Sequence, residues 1–335
     1  MTDFDAVLIV SFGGPEGPDD VLPFLANVTR GRGIPPARLE QVAANYARLG
    51  GISPINVQCR RLQAALGSEL AAHGHELPVY WGNRNWRPYL TDTIARMADD
   101  GIRSALAIVT SAYSSYSACR QYLDDIDAAC AGVGDRAPSI EKIRPYFDHP
   151  GFVEPFRDAL AEARRELDDP CPPIVFTAHS IPVAMAATCD YEEQLRATAA
   201  LVAEASPASP WDLVWQSRSG PPDIPWLEPD VNDHLRALAA AGHDTALIAP
   251  IGFVSDHMEV VWDLDHEAAS TAASLGLRIS RATSPGTRPD PRFVTMWREL
   301  IEERLCGSRR VALSDLAPRP TPCRPTCCPP PSRTA

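Results

Sequence analysis

Apolar and polar positions along this chain follow two different periods. Short continuous apolar runs, the mark of strands buried on both faces, occur at 6–12 (AVLIVSF), 78–82 (PVYWG), 105–113 (ALAIVTSAY), 173–180 (PIVFTAHS), 212–217 (DLVWQS) and 245–252 (TALIAPIG). Stretches of helical periodicity lie between and after them, at 19–28, 36–48, 56–73, 88–100, 117–131, 151–167, 190–205, 229–241, 256–275 and 290–305. Strands and helices alternating in this way point to parallel α/β sheets. The two halves repeat one order: a strand with a polar loop, a long helix, then strand, helix, strand, helix. The repetition predicts a duplicated α/β fold, two doubly wound domains with a cleft between them. The expected boundaries are 1–145, 146–305 and a Cys/Pro-rich extension at 306–335, with 144–156 (RPYFDHPGFVEPF) as the crossover.

In open α/β sheets ligands bind beyond the carboxyl ends of the strands. Two such ends carry ionisable groups. His179, in TAHSIP, closes a run of buried-strand character, so it is either a satisfied core histidine or a proton acceptor or metal ligand in the cleft. In SDHMEVVWDLDHE (255–267) the carboxylates of Glu259, Asp263 and Glu267 recur every four residues and share one helical stripe. Like charges at that spacing repel by a few tenths (~0.2–0.5) of a kcal/mol per pair. Asp256 can cap the helix, but Glu267 lies too far along it to gain from the helix dipole. The stripe is either a solvated face or a row that takes a divalent cation or passes protons, with His257 at its head. GGPEGP lacks both the glycine spacing and the Lys-Ser/Thr of phosphate loops, so it predicts no nucleotide site. The loops LGGISPIN, WGNRNW and WQSRSGPPDIPWLEPDV add arginine and aromatic side chains, as a pocket for a flat anionic molecule would.

Bulk composition narrows this picture. Net charge is −12, with a single lysine, Lys142, among 31 basic residues. That balance argues against nucleic-acid binding and leaves arginine as the plentiful group for gripping carboxylates. No apolar run is long enough to span a membrane. The start, MTDFDAVLIVSFGG, lacks the basic region of a secretory signal, so a cytoplasmic protein is expected. Nine cysteines, an odd number, argue against a disulfide framework. No added dimerisation segment is visible, and a monomer is expected.

VSFGGP, LGGISPIN, GNRNW, FTAHSIP, WQSRSGPP and PIGFVSDHMEVVWDLD stand in order over roughly residues 5 to 305. In these motifs the chain resembles the ferrochelatases, which insert ferrous iron into a porphyrin. The resemblance implies two Rossmann-like domains around a porphyrin cleft. It identifies His179 with the family's cleft histidine and Glu259 with the facing glutamate, the catalytic and metal-contacting pair. Asp263 and Glu267 would continue as an acidic path for the metal. The wording TRGRG and WQSRSGPP is similar to the actinobacterial branch, which implies coproporphyrin III as substrate and coproheme as product, with protoporphyrin IX as the alternative. Arg30, Arg32, Ser53 and Tyr116 match segments that hold propionates there, whereas Asn45 stands where another propionate-binding arginine is expected. Phe12 also lines the expected substrate site. Related bacterial enzymes have a tyrosine at that point that can contact product iron; Phe12 cannot ligate metal. A cobalt or nickel chelatase of the same fold, or a non-catalytic tetrapyrrole carrier, is the more remote alternative. Transient contact with other haem-pathway enzymes is a further expectation.

Proline density in the extension rules out regular structure. It contains Cys306, Cys323, Cys327 and Cys328. Some ferrochelatases hold a [2Fe–2S] cluster on three thiolates of such an extension and one from the body. The resemblance therefore suggests Cys323, Cys327 and Cys328 with Cys119 from SSYSACRQY. Cys189 is the runner-up for the body ligand. Adjacent Cys327 and Cys328 are awkward for one cluster, so Cys306 is a substitute, and zinc on the same thiolates is the competing reading.

Overall fold

The computed structural model describes residues 4–31, 34–206, 208–220, 223–317, 323 and 326–330. The chain divides into two compact units, neither continuous in sequence. One comprises Met1–Thr110, Tyr122–Ile143 and Trp297–Ser308; the other comprises Ser111–Gln121, Arg144–Met296 and Arg309–Ala335. Helix Pro291–Leu305 is thus divided between them, and a short piece following the third strand belongs to the second unit.

Each unit is built on one four-stranded, all-parallel sheet. In the first, β1 (Ala6–Ser11), β2 (Val79–Asn83), β3 (Ser104–Val109) and β4 (Ser139–Lys142) lie in the order β2-β1-β3-β4. In the second, β5 (Ile174–His179), β6 (Trp211–Gln216), β7 (Thr245–Ala249) and β8 (Arg278–Arg281) lie in the order β6-β5-β7-β8. The two orders are the same, which is the duplication expected from the repeated pattern. Every residue of β1 is buried, and helices cover the faces, as an all-parallel sheet requires. Leu8, Val10, Ala105 and Ala107 pack with Ile94, Met97, Tyr122 and Ile126 in the first unit. Val175, Val214, Ala246 and Ile248 pack with Leu235, Val260, Leu264 and Ala268 in the second.

The two strands not expected from the sequence are β4 and β8, SIEK and RISR. They are short, polar edge strands. Each has only four residues, three of them polar or charged, so the continuous apolar run that reveals the other six strands is missing. The helices follow the predicted spans within a few residues, with two exceptions of kind. Tyr116–Arg120 and Val261–Ala268 are π-helical, each after the third strand of its half. Among the described residues no helix is long and apolar enough to cross a membrane.

Candidate active site

Within the second unit, β5 ends on His179 and the segment after β7 returns towards it. Gly252 makes that return possible: its amide donates to the Thr177 carbonyl at 3.0 Å, and a Cβ there would sit 2.5 Å from the Ala178 backbone. Only glycine allows this approach beside the residue preceding His179.

His179 is partly exposed, with 31% of its side chain accessible. Its Nδ1 lies 2.5 Å from the Ser180 carbonyl. A carbonyl only accepts, so Nδ1 holds the proton and the lone pair of the neutral ring is on Nε2. That nitrogen faces Glu259, 3.9 Å from Oε2. The backbone under His179 is fixed from two sides: the Tyr191 hydroxyl donates to its carbonyl at 3.1 Å, and the next amide, Ser180, donates to the Gln216 carbonyl at 2.8 Å.

The segment carrying Glu259 starts at a capped turn. His257 Nδ1 accepts the Glu259 amide at 3.2 Å, and the ring stands edge-on to Phe253. Burial lowers its pKa, although Glu259 and Asp256 pull the other way. The ring therefore stays neutral and serves as a cap, not as a cation. Asp256, buried, accepts the Ser284 amide and one arm of Arg281, while its own amide donates to Thr287 Oγ1 at 2.7 Å.

Glu259 is exposed at the start of the helix Met258–Val260, and Val261–Ala268 continues as a π-helix. π-Helical turns are rare and cluster at functional sites. Asp263 within it accepts hydrogen bonds from the Ser217 hydroxyl and from Gln216 Nε2 at 3.2 Å, both at the end of β6. Its pKa is raised to about 7. Burial is the largest cause; the charges of Glu259 and Glu267 add to it, against the two donors. Glu267 accepts the Trp262 indole N–H at 2.7 Å. Glu259 and Glu267 thus both act on Asp263, yet among the described residues no three His, Cys, Asp or Glu side chains form a single-ion site. The three carboxylates follow one another along the helix and do not close on a common point. Ser217 and Gln216, at a strand end, are the donors that hold Asp263, a contact that the sequence pattern does not show. Ser217 has φ 60°, in the left-handed region, and that conformation aims its hydroxyl at Asp263.

The remaining expected substrate residues lie in both units. In the first, Phe12 meets Phe24 edge-on, and the Arg84 guanidinium lies 5.9 Å from its ring centroid. Ser53 is buried beneath Gly14, and exposed Arg30 donates to Asn27 Oδ1 at 2.6 Å. Arg32 lies outside the described residues. Tyr116, half-buried, opens the π-helix of the second unit's Ser111–Gln121 piece.

Among its described residues the extension is not helical, but it is anchored. Leu313 N donates to the Asp148 carbonyl at 2.8 Å, Ser314 Oγ donates to the Asp148 carboxylate at 2.6 Å, and Arg310 reaches it at 3.3 Å. Arg144 donates to the Val311 carbonyl. Leu316 and Ala317 wall a cavity of about 170 Å³ with Arg144, Asp190 and Glu193; it is lined by neither His179 nor Glu259. Further on, Cys328 is buried, its Sγ 3.6 Å from that of Cys327. Burial is the main cause of its raised pKa, and Cys327, Cys119 and Cys189 are all near enough to add to it. Cys328 has φ 51°, and that left-handed turn accompanies the close approach of two adjacent thiols. Cys323 is half-buried, and Cys306 is exposed just after Pro291–Leu305. None of the nine cysteines forms a disulfide.

A family model for ferrochelatase matches residues 4–305. The coproporphyrin III ferrochelatase of Mycolicibacterium smegmatis is 51% identical over 339 residues, covering 97% of this chain and 99% of that protein. That of Nocardia farcinica is 49% identical over 350 residues, covering 99% and 98%. Among solved structures, SirB from Bacillus subtilis with Fe3+ superposes with a TM-score of 0.53 at 13% identity, over 90% of this chain and 96% of that one. At that identity the likeness concerns the fold alone.

Proposed function

The chain belongs to the ferrochelatase family, and from that premise we propose that it is a lyase that inserts Fe2+ into coproporphyrin III to give coproheme. Relatives of that activity, about half identical over nearly the whole length, support this substrate. The reaction exchanges Fe2+ for the two pyrrole N–H protons, which leave as H+. A base and a metal-contacting group are both required.

The observation that carries the mechanism is the pairing of His179 Nε2 with Glu259 at 3.9 Å. The bond from Nδ1 to Ser180 leaves Nε2 as the lone pair for a pyrrole proton or for Fe2+. Once protonated, the imidazolium has Glu259 as its counter-ion. Asp263 and Glu267 extend the stripe behind Glu259. Carboxylate oxygens suit the stepwise dehydration of a hard divalent cation. With its pKa near 7, Asp263 exchanges a proton for a cation at little cost around neutrality. We assign the substrate's propionates to Arg30, Arg32, Ser53 and Tyr116, and an apolar contact to Phe12. The exposure of Arg30 and its fork geometry support its part in this.

We further propose a [2Fe–2S] cluster on the thiols of the second unit. Four thiols near one another, with Cys328 buried, fit such a group. The absence of a single-ion site among the described residues does not count against it, because each iron takes only two of the four thiolates. Cys119, Cys327 and Cys328 are the ligands we favour, with Cys323 or Cys189 as the fourth. Bound there, the cluster would supply a redox-sensitive link between the extension and the body. The lack of disulfides among nine cysteines supports a reducing, cytoplasmic setting.

Anaerobic incubation of the purified protein with Fe2+ and either coproporphyrin III or protoporphyrin IX tests the activity. Conversion of coproporphyrin is expected to be the faster. Preference for protoporphyrin would overturn the substrate assignment, and no spectral conversion of either would overturn the function. The purified protein should show [2Fe–2S] visible absorption; a colourless, zinc-bearing protein would refute the cluster.

A further inference from the structure

The π-helix Val261–Ala268 is tethered to both edges of its sheet. On one side Asp263 accepts from Gln216 and Ser217 at the end of edge strand β6. On the other, Arg281 closes edge strand β8 and reaches Asp265 with two parallel bonds, Nε to Oδ1 at 2.6 Å and Nη2 to Oδ2 at 3.0 Å. The same guanidinium donates through Nη1 to Asp256 Oδ2 at 2.9 Å. Asp256 begins the turn that leads to Glu259, and Asp265 stands between Asp263 and Glu267. β5, the strand that ends in His179, lies between the two tethers.

We infer that Arg281 is a positioning residue for metal insertion: it clamps the turn before Glu259 and the middle of the π-helix, and so holds the carboxylate line in register with His179. The inference rests on the proposed role of the Glu259–Asp263 stripe in bringing Fe2+ to His179. Three features support a clamp over an ordinary surface ion pair. The guanidinium is mostly buried, with 16% of its side chain exposed, and Asp256 is more so. The contact to Asp265 is a fork-to-fork pair, which fixes direction as well as distance. The strand beneath is held by the Ala282 amide donating to the Ile248 carbonyl at 2.8 Å, so the clamp has a rigid base. A π-helical turn is rare and is found mostly as a short interruption of an α-helix. Without outside tethers it would be free to re-form as an α-helix and rotate Asp263 and Glu267 relative to Glu259.

The test compares Asp265→Asn, Arg281→Lys and Asp263→Asn in steady-state Fe2+ insertion under anaerobic conditions, varying each substrate in turn. Asp265 is 39% exposed, so its amide variant should fold. Arg281→Lys keeps the charge and loses the fork. Both are expected to raise KM for Fe2+ by about tenfold, the size of effect typical when a residue supporting a metal ligand is lost. KM for coproporphyrin III should stay within about twofold of wild type. Amide hydrogen exchange over residues 258–268 should speed up in both variants. Asp265→Asn alone raising KM would mean that long-range charge, not clamping, is responsible, and would overturn the inference. So would lower melting temperatures with both KM values unchanged, since Arg281 would then be only a strut. If Asp263→Asn impairs Fe2+ use while the other two do not, the clamp fails alone. If Asp263→Asn has no effect, the stripe reading fails and takes the clamp with it.

Discussion

β1 and β5 occupy the same place in two sheets of the same order, yet their ends are built differently. The last pair of β1 and β2 is Ser11 with Asn83; the last pair of β5 and β6 is His179 with Gln216. At the first end the side chains that meet beneath the strands are buried and uncharged, and the nearest charge, Arg84, is paired with Asp125. Asn83, fully buried, donates to Asn56 Oδ1 and the Arg87 carbonyl and accepts the Trp81 indole N–H, while Asn56 donates to the Gly14 carbonyl. At the second end His179 and Glu259 are open to solvent, and Asp263 stands behind Gln216 with a pKa near 7. One scaffold has thus been used twice, once as a buried, uncharged polar knot and once as an ionisable site. The frame decides where functional groups can stand. The side chains at the strand ends decide whether chemistry happens there.

If that division is right, the same kind of substitution should have opposite consequences at the two ends. The largest effect is expected from His179→Ala. Losing the lone pair at Nε2 should cut turnover by about 10²–10⁴-fold, the usual contribution of a positioned base. Porphyrin binding, followed by fluorescence quenching, should persist. Turnover near the wild-type level would remove His179 from the mechanism. Asn83→Ala is its counterpart in the first unit. It strands the buried Asn56 amide and Trp81 N–H, so it should cost about 1–3 kcal/mol of stability with little change in kcat for the folded protein. Chemical denaturation read beside single-turnover kinetics separates the two. A large fall in kcat at unchanged stability would put chemistry at the neutral end as well.

Asp263 sharpens the contrast through pH. Its pKa in the folded protein is about 7, against 3.8 for an unperturbed aspartate. Between those values the folded state holds a proton that the unfolded chain has released. The contribution of this group to stability therefore falls as pH rises from about 4 to about 7 and is level above that. Asp263→Asn should remove this fall. Denaturation midpoints measured near pH 5 and near pH 8 should then differ less, relative to wild type, by the missing proton. An identical pH slope in the two proteins would mean that the Asp263 carboxyl titrates like a surface one.

Much of this was legible in the sequence, for reasons that differ residue by residue. Six of the strands are apolar because both their faces are covered, so their run is continuous and unmistakable. β4 and β8 are half-exposed edges, and SIEK and RISR carry no such mark. The repeated order of elements foretold the matching sheet orders. His179 and Glu259 stood out because ionisable residues at strand ends are rare and their motifs resemble a known family. The π-helix did not, because α- and π-helical turns draw on the same residues and differ only in where the amides bond. Ser217 was invisible as a ligand of Asp263, since its left-handed backbone is a tertiary property. The same holds for Cys328: adjacency made it and Cys327 awkward partners for one cluster, and the turn at φ 51° accompanies their approach to 3.6 Å. Arg281 joins two aspartates distant in sequence, and no local pattern records such a contact.

The smallest predicted effect concerns Phe12, which follows Ser11 at the neutral end. Its ring packs edge-on against Phe24 beneath the Arg84 guanidinium, so it serves as apolar surface. Phe12→Tyr adds one hydroxyl to a half-buried ring and removes no contact. Turnover should stay within about twofold, the size of a ~0.5 kcal/mol change. If the new phenol reaches the product's iron, the Soret band of the coproheme complex will shift relative to wild type. If the band stays where it is, the phenylalanine marks a surface that never met the metal, and the asymmetry between the two ends is complete. A loss of turnover well beyond twofold would contradict both, because it would mean that the neutral end tolerates no polar atom at this position.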